Sequence, residues 1–359
     1  MGLVEDIETL VCCESPSSDL DAVATSAELV AELGVARLGV APERIVLDGR
    51  THLRWRLGSG PRRVLVLGHH DTVWPLGTLA TRPFDVTGGV LRGPGCFDMK
   101  TGLVMAFHAI ASLSDVDGIT LLVTGDEELG SPSSRELIED EARGCAAALV
   151  LEASAPGGAL KTARKGVSLY QVTAHGRAAH AGLEPEKGVN ASLELAHQLP
   201  VVAALADPGQ GTTVTPTLLR AGTTTNTVPA EGGFAVDVRV RSTAEQDRVD
   251  KAMRALTPLL PGARLTVAGG PNRPPLEESA SAALFQRAQR LATELGLPPL
   301  TGVAVGGASD GNFTAGLGVP TLDGLGAVGG GAHADDEHVL VDDLPGRTAL
   351  VAALLKDLL

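Results

Sequence analysis

Leu67-Gly68-His69-His70-Asp71-Thr72-Val73 closes an apolar run with a histidine and an aspartate two residues apart. In extended backbone, residues i and i+2 lie on one face. His69 and Asp71 can then act together: the imidazole binds a metal through one nitrogen while the carboxylate orients the ring. Taken singly, the pair is ordinary polar surface at a strand end. It gains weight because other apolar segments of the chain also run into carboxylates or a histidine.

The chain has 359 residues, which at about 150 residues per domain suggests two domains. Apolar residues make up 44% and charged residues 20%, so a sizeable core is possible; aromatics are only 3%, so Leu, Val and Ala must fill it. A formal net charge of −14 argues against nucleic acid or an anionic membrane surface as partner. Cys12, Cys13, Cys96 and Cys145 form neither a disulfide framework nor paired C-x-x-C units, so reduced thiols and a cytoplasmic location are expected. Met1-Gly2-Leu3-Val4-Glu5-Asp6 is acidic where a signal peptide is basic and then apolar. With no apolar run of roughly 18 residues, no membrane span is expected.

Helix and strand signals alternate through the first half. Helical spacing covers residues 19–33, 100–113 and 131–141, and short apolar strands cover 63–67, 119–124 and 147–151. This pattern predicts an α/β fold with a mostly parallel sheet sandwiched by helices. Ligands in such sheets gather beyond the carboxyl ends of the strands. After about Leu160 the character changes: residues 166–175 and 233–241 alternate apolar and polar, and helices are expected at 187–205 and 243–259. Pro271-Asn272-Arg273-Pro274-Pro275 reads as a linker, after which helix and strand alternation resumes. The expected organisation is a discontinuous domain of residues 1–160 and 273–359 with an inserted α+β domain of residues 161–272.

Four further clusters follow apolar segments or glycine-rich turns. Gly93-Pro94-Gly95-Cys96-Phe97-Asp98 places Asp98 just ahead of a helix, as a ligand or as an N-cap. The strand at 119–124 runs into Asp126-Glu127-Glu128; on extended backbone Glu127 and Glu128 point apart, so one can ligate while its neighbour handles water. Glu152 follows 147–151, where an unpaired carboxylate is costly to bury. Gly329-Gly330-Gly331-Ala332-His333 brings a second histidine. The set of histidines and carboxylates suits zinc, with manganese or cobalt as substitutes. His70 points away from His69 on a regular strand, His108 lies within a helix, and His52, His175, His197 and His338 lack a ligand spacing.

In this order the motifs resemble the dinuclear zinc metallopeptidase and aminoacylase family that includes the glutamate carboxypeptidases and the acetylornithine and succinyl-diaminopimelate deacylases. The resemblance spans nearly the whole chain. It implies two zinc ions per subunit, with His69 and Glu152 on one, Glu128 and His333 on the other, and Asp98 bridging. It also implies Asp71 as the partner of His69 and Glu127 as general base. Gly176-Arg177-Ala178-Ala179-His180-Ala181-Gly182 resembles the segment whose histidine reaches the neighbouring subunit's active site. The resemblance thus implies His180 as an oxyanion stabiliser and the inserted domain as a ferredoxin-like dimerisation domain of a homodimer. Asn226 and Arg239 resemble the family's substrate-carboxylate binders, and Lys165 and Arg273 are further candidates for that contact. The implied activity is hydrolysis of an amide beside a free carboxylate, releasing a C-terminal amino acid such as glutamate. An N-acyl-amino-acid deacylase or a dipeptidase is the nearest rival, and a non-catalytic binding relative a more distant one. Gly306-Gly307-Ala308-Ser309-Asp310-Gly311 lacks the lysine of a phosphate loop, which disfavours a nucleotide-binding protein.

Overall fold

Val64–His69, Ile119–Thr124 and Ala147–Val150 are buried at every residue, as strands covered on both faces must be. Alternate residues of Val64–His69 enter different cores. Val64 and Val66 join the cluster with Ile7, Val30, Phe107 and Leu354, whereas Leu65 and Leu67 pack with Ile138, Ala142 and Phe313. That is the signature of a sheet with helices on both sides. The computed structural model describes residues 2–359, which form two compact units.

The first unit comprises residues 2–164, Leu276–Val305 and Ser309–Leu359. Its main sheet has six strands in the spatial order Glu43–Leu47, Arg50–Arg56, Ile119–Thr124, Val64–His69, Ala147–Val150 and Thr321–Leu322. The last four are mutually parallel, and the first two add an antiparallel hairpin at one edge. Aromatic packing is confined to a few contacts such as the edge-on pair Trp55 and Phe107, 5.3 Å between ring centres. Gly34 admits this pair: a Cβ there would lie 2.3 Å from the Trp55 ring. A smaller antiparallel sheet links Gly329–Gly330, His338–Leu340, Val90–Arg92 and Asp85–Thr87.

The second unit comprises Lys165–Pro275 and Gly306–Ala308. Its antiparallel sheet runs Thr213–Ala221, Glu231–Val240, Gly166–His175, Arg264–Arg273, with helices Ala191–Ala203 and Thr243–Arg254 in a βαββαβ order. This is the ferredoxin-like arrangement. Val172, Leu195, Phe234, Val236, Val238 and Val249 form its own core.

Several elements differ from their sequence reading. The strand expected at 63–67 continues to His69 itself. The first long helix is Leu20–Leu38; Asp19 caps its start by accepting from the Asp21 and Ala22 amides, and Gly39, at φ 74°, ends it. The helix expected from 131 begins only at Arg135, because the preceding serines serve another purpose: Ser133 and Ser134 bond the Asp126 carboxylate. Pro271 to Arg273 are not linker but the end of a strand. Proline is tolerated there because the strand pairs on one side only, at a register shift. No helix among the described residues is long and apolar enough to cross a membrane.

His70 does turn away from His69, into the protein. Its Nδ1 lies 3.2 Å from Ser26 Oγ and its Nε2 3.0 Å from the Thr51 carbonyl. Burial lowers its pKa from 6.5 to about 4. The folded chain thus keeps His70 neutral down to about pH 4, whereas the unfolded chain protonates it near 6.5. Its contribution is complete above pH 6.5 and is lost as pH falls towards 4, about 3 kcal/mol in all. Urea unfolding of chelated protein at pH 7 and pH 5 should show a larger loss for wild type than for His70→Gln. Equal losses would remove this assignment.

Candidate metal centre

Three neighbouring parallel strands deliver the centre from their carboxyl ends. Val64–His69 ends in His69, Ile119–Thr124 leads into Glu127 and Glu128, and Ala147–Val150 leads to Glu152 two residues on. Gly68 makes room beside His69, since a Cβ there would lie 2.5 Å from Leu103 Cδ2. Asp98 comes from the turn before the helix Thr101–Ala111, and the Asp98–Met99 peptide is cis. Asp98 is not the cap of that helix; its carboxylate faces both histidines. His333 is in the loop between Gly329–Gly330 and His338–Leu340, with φ at 61°. Such a conformation is costly for a residue with a Cβ and is typical of functional loops.

His69 is the hub. Its Nδ1 is 2.9 Å from the Asp71 carbonyl and 3.3 Å from Asp71 Oδ1. Donating the Nδ1 hydrogen there leaves Nε2 for a cation. Nε2 lies 3.3 Å from Asp98 Oδ1 and 3.5 Å from Glu152 Oε1. His333 Nε2 lies 3.1 Å from Glu128 Oε1 and 3.4 Å from Asp98 Oδ2. Donor atoms of His69, Asp98 and Glu128 fall within 4.8 Å of one another, and so do those of His69, Glu127 and Glu152. His69 Nε2 and Asp98 Oδ1 are buried and face each other at 3.3 Å without hydrogen-bond geometry, an arrangement that a cation between them would stabilise. The donor set, oxygen with imidazole nitrogen, fits zinc or a similar divalent ion.

The local charges shift the groups accordingly. Burial disfavours the His69 imidazolium, but Asp71, Asp98 and Glu152 outweigh it and raise the pKa well above the ordinary value. His333 is raised to about 10 by Asp98 and Glu128. Burial pushes Asp98 and Glu152 up, yet His333, His69 and Lys161 hold Asp98, and His69, Arg164 and Lys161 hold Glu152, below the ordinary carboxylate range. Burial dominates at Glu128, which is raised. A bound cation would replace these protons as the neutralising charge.

Asp71 does more than face His69. Its Oδ1 accepts from the Glu127 amide at 3.3 Å, and its Oδ2 from the Glu128 amide at 3.2 Å and Ser17 Oγ at 2.6 Å. Glu127 and Glu128 lie in a 3₁₀ turn rather than extended backbone. Successive side chains there diverge by about 120° instead of opposing each other, so both carboxylates reach the cluster. Behind the turn, Asp126 accepts from Ser133 and Ser134, and Asp310 from Ser131 and Thr124.

Sequence reasoning missed Arg164. Buried at the end of Leu160–Arg164, it forks onto Asp323 at 2.7 and 2.9 Å and reaches Glu152 Oε2 at 3.3 Å. Lys161 Nζ is 4.0 Å from the same oxygen. The signal lay in the alternation of that strand, which puts Arg164 on the face of Leu160 and Thr162. Lys165, the residue singled out instead, bonds the Gly211 carbonyl at 2.6 Å, and the buried Arg273 accepts Gln246 Nε2 on its carbonyl at 2.9 Å.

His180, Asn226 and Arg239 lie in the second unit. Backbone pairing brings the first two together: His180 bridges Thr227, and the Ala181 amide donates to the Asn226 carbonyl at 2.9 Å. Both side chains are exposed. Arg239 is half-buried and forks onto Asp237 at 2.8 and 2.9 Å.

Residues 65–357 match peptidase family M20/M25/M40. The chain belongs to that family. It is 32% identical over 292 residues to carboxypeptidase G2 of Pseudomonas sp. strain RS-16, covering 79% of this chain and 70% of the relative. It is 28% identical over 298 residues to a succinyl-diaminopimelate desuccinylase of Methylorubrum populi, covering 76% and 75%. The fold matches the M20 family metallo-carboxypeptidase Sso-CP2 of Sulfolobus solfataricus with a TM-score of 0.74, at 16% identity over 99% of this chain and 97% of the other. The chain is thus an M20 metallopeptidase and a homologue of carboxypeptidase G2.

Asp98, Glu127, Glu128 and Glu152 all approach the His69 imidazole, so bound cations are expected to stabilise the folded chain. Thorough chelation should lower the melting temperature on the order of 5–10 °C, with recovery on adding zinc. An unchanged melting temperature after verified metal removal would contradict this.

Proposed function

We propose that this M20 protein is a two-zinc carboxypeptidase that cleaves an amide beside a free carboxylate and releases a C-terminal amino acid such as glutamate. The observation that carries the proposal is the convergence of His69, Asp98, Glu128, Glu152 and His333 into one cluster of buried and half-buried ligand atoms, with Glu127 in the same cluster. His69 and Glu152 would hold one ion, Glu128 and His333 the other, with Asp98 between them. Cobalt or manganese could substitute. The carboxypeptidase branch is favoured by the 32% identity to carboxypeptidase G2. The 28% match to a desuccinylase keeps an N-acyl-amino-acid deacylase as the second reading.

When bound, a pair of zinc ions polarises the scissile carbonyl and acidifies a water. Glu127 takes the proton from that water as its oxygen attacks the carbonyl carbon, and passes it to the nitrogen as the carbon–nitrogen bond breaks. Asp71 fixes the His69 ring and, through two amide hydrogen bonds, the backbone of Glu127 and Glu128. His180 donates a hydrogen bond to the tetrahedral oxyanion from the partner subunit of a homodimer. Asn226 and Arg239 hold the free carboxylate, which requires Arg239 to exchange Asp237 for substrate.

Glu127→Ala should lose about 10³-fold or more in turnover with metal content unchanged. Metal loss in step with activity would make Glu127 a ligand instead. Mixing inactive Glu127→Gln and His180→Ala chains should restore about a quarter of wild-type activity through hybrid dimers; no recovery in verified hybrids would mean that His180 does not act across a subunit interface. Products from an N-acyl amino-acid and dipeptide library, identified by mass, decide the substrate. Preference for folyl- or peptidyl-glutamates supports the carboxypeptidase, and preference for N-acetyl amino acids supports the deacylase.

A further inference from the structure

One buried carboxylate outside the ligand cluster ties the cluster's segments together. Glu337 accepts four hydrogen bonds: from the amides of Gly95 at 2.9 Å, Phe97 at 2.9 Å and Asp98 at 3.0 Å, and from Trp74 Nε1 at 2.7 Å. We propose that Glu337 is a positioning residue that sets the separation of Asp98 and His333 and thereby the metal affinity of the centre. The inference rests on the ligand roles proposed above for those two residues.

The topology explains why one residue can do this. Val90–Arg92 leads directly into the Asp98 turn, and His338–Leu340 leads directly out of the His333 loop. These two strands are paired, His338 opposite Arg92. Both ligand loops therefore spring from the same small sheet, and Glu337 is the last residue before the pairing begins. Its carboxylate crosses to the other loop and bonds three of its amides, including that of Asp98 itself.

Little slack separates Glu337 from His333. The Ala334 amide donates to Gly331 at 2.8 Å and the Glu337 amide to Ala334 at 3.1 Å, folding residues 331–337 into successive turns. Gly331 has φ 75°, and a Cβ there would lie 2.7 Å from the Asp336 carbonyl carbon and from the Glu337 nitrogen. Trp74 adds the segment that follows His69 and Asp71. The carboxylate thus touches or closely adjoins three ligand-bearing segments.

The chemistry requires an acid at this position. All four partners are donors, so the ideal residue accepts on both oxygens and donates nothing. Glutamine keeps the volume but turns an NH₂ towards N–H groups. Glu337→Gln therefore loosens the Asp98 turn while leaving the strands and the core in place. Trp74→Phe removes one donor and keeps a smaller aromatic ring.

The test is titration of metal-stripped protein with Zn²⁺ or Co²⁺ alone against a chromophoric chelator, alongside His333→Ala as a ligand control. Glu337→Gln should bind the metal about 10–100-fold more weakly, with altered cobalt absorption bands. Its circular dichroism and the melting temperature of the stripped protein should stay near wild type. Trp74→Phe should show a smaller loss in the same direction. Wild-type affinity and cobalt bands in Glu337→Gln, with His333→Ala impaired, would overturn the positioning role alone. Wild-type metal binding in His333→Ala would overturn the ligand assignment on which it rests. A weakening matched by an equal loss of stability in the stripped protein would make Glu337 merely structural. If Glu337→Gln does not fold, unchanged metal affinity in Trp74→Phe overturns the proposal and a loss supports it.

Discussion

Mutual repulsion among Asp98, Glu127, Glu128 and Glu152 is the constraint on which the rest of this centre depends. Each is brought within a few ångströms of His69 or His333, and none would stay ionised in an apolar interior without compensation. The protein supplies part of it: Arg164 stands behind Glu152, and the two histidines are held ready to carry charge. The remaining compensation is what a divalent cation provides, and it is why the arrangement belongs to a metallopeptidase rather than to an inert acidic pocket.

Crowded charges hold position only if their backbones are fixed, and the structure fixes them with more carboxylates. Asp71 bonds the amides of Glu127 and Glu128 while accepting from His69. Asp126 and Asp310 are satisfied by serine and threonine hydroxyls around the same turn. Asp323 anchors Arg164 behind Glu152, and Glu337 collects the amides of the Asp98 turn. An inner ring of acids that face the cluster is thus braced by an outer ring of acids that bind only donors. The outer ring contributes five of the acids of a chain with 43 Asp and Glu against 29 Lys and Arg.

Much of this was legible in order along the chain. Buried runs ending in His69, Glu127–Glu128 and Glu152 identify strand ends, and parallel strands gather their carboxyl ends at one edge of a sheet. In the second unit two alternating strands, 166–175 and 233–241, and both helices were visible, whereas the strands Thr213–Ala221 and Arg264–Arg273 were not read from the pattern. Less legible were elements whose polar residues serve distant partners. The serines before Arg135 read as a helix start but hold Asp126. Pro271 reads as part of a linker but lies near the end of an edge strand, Arg264–Arg273, at a register shift.

The sequence by itself determined the fold class and the short list of residues able to do metal chemistry, because strand burial and residue type are local properties. Tertiary structure alone decided which of them meet, and what braces them. The Arg164 fork on Asp323 spans 159 residues, and the bonds from the Asp98 turn to Glu337 span about 240. No local pattern marks either contact. A buried acid or base is stable only through its partners, and those are chosen when sheets and loops from distant parts of the chain come together.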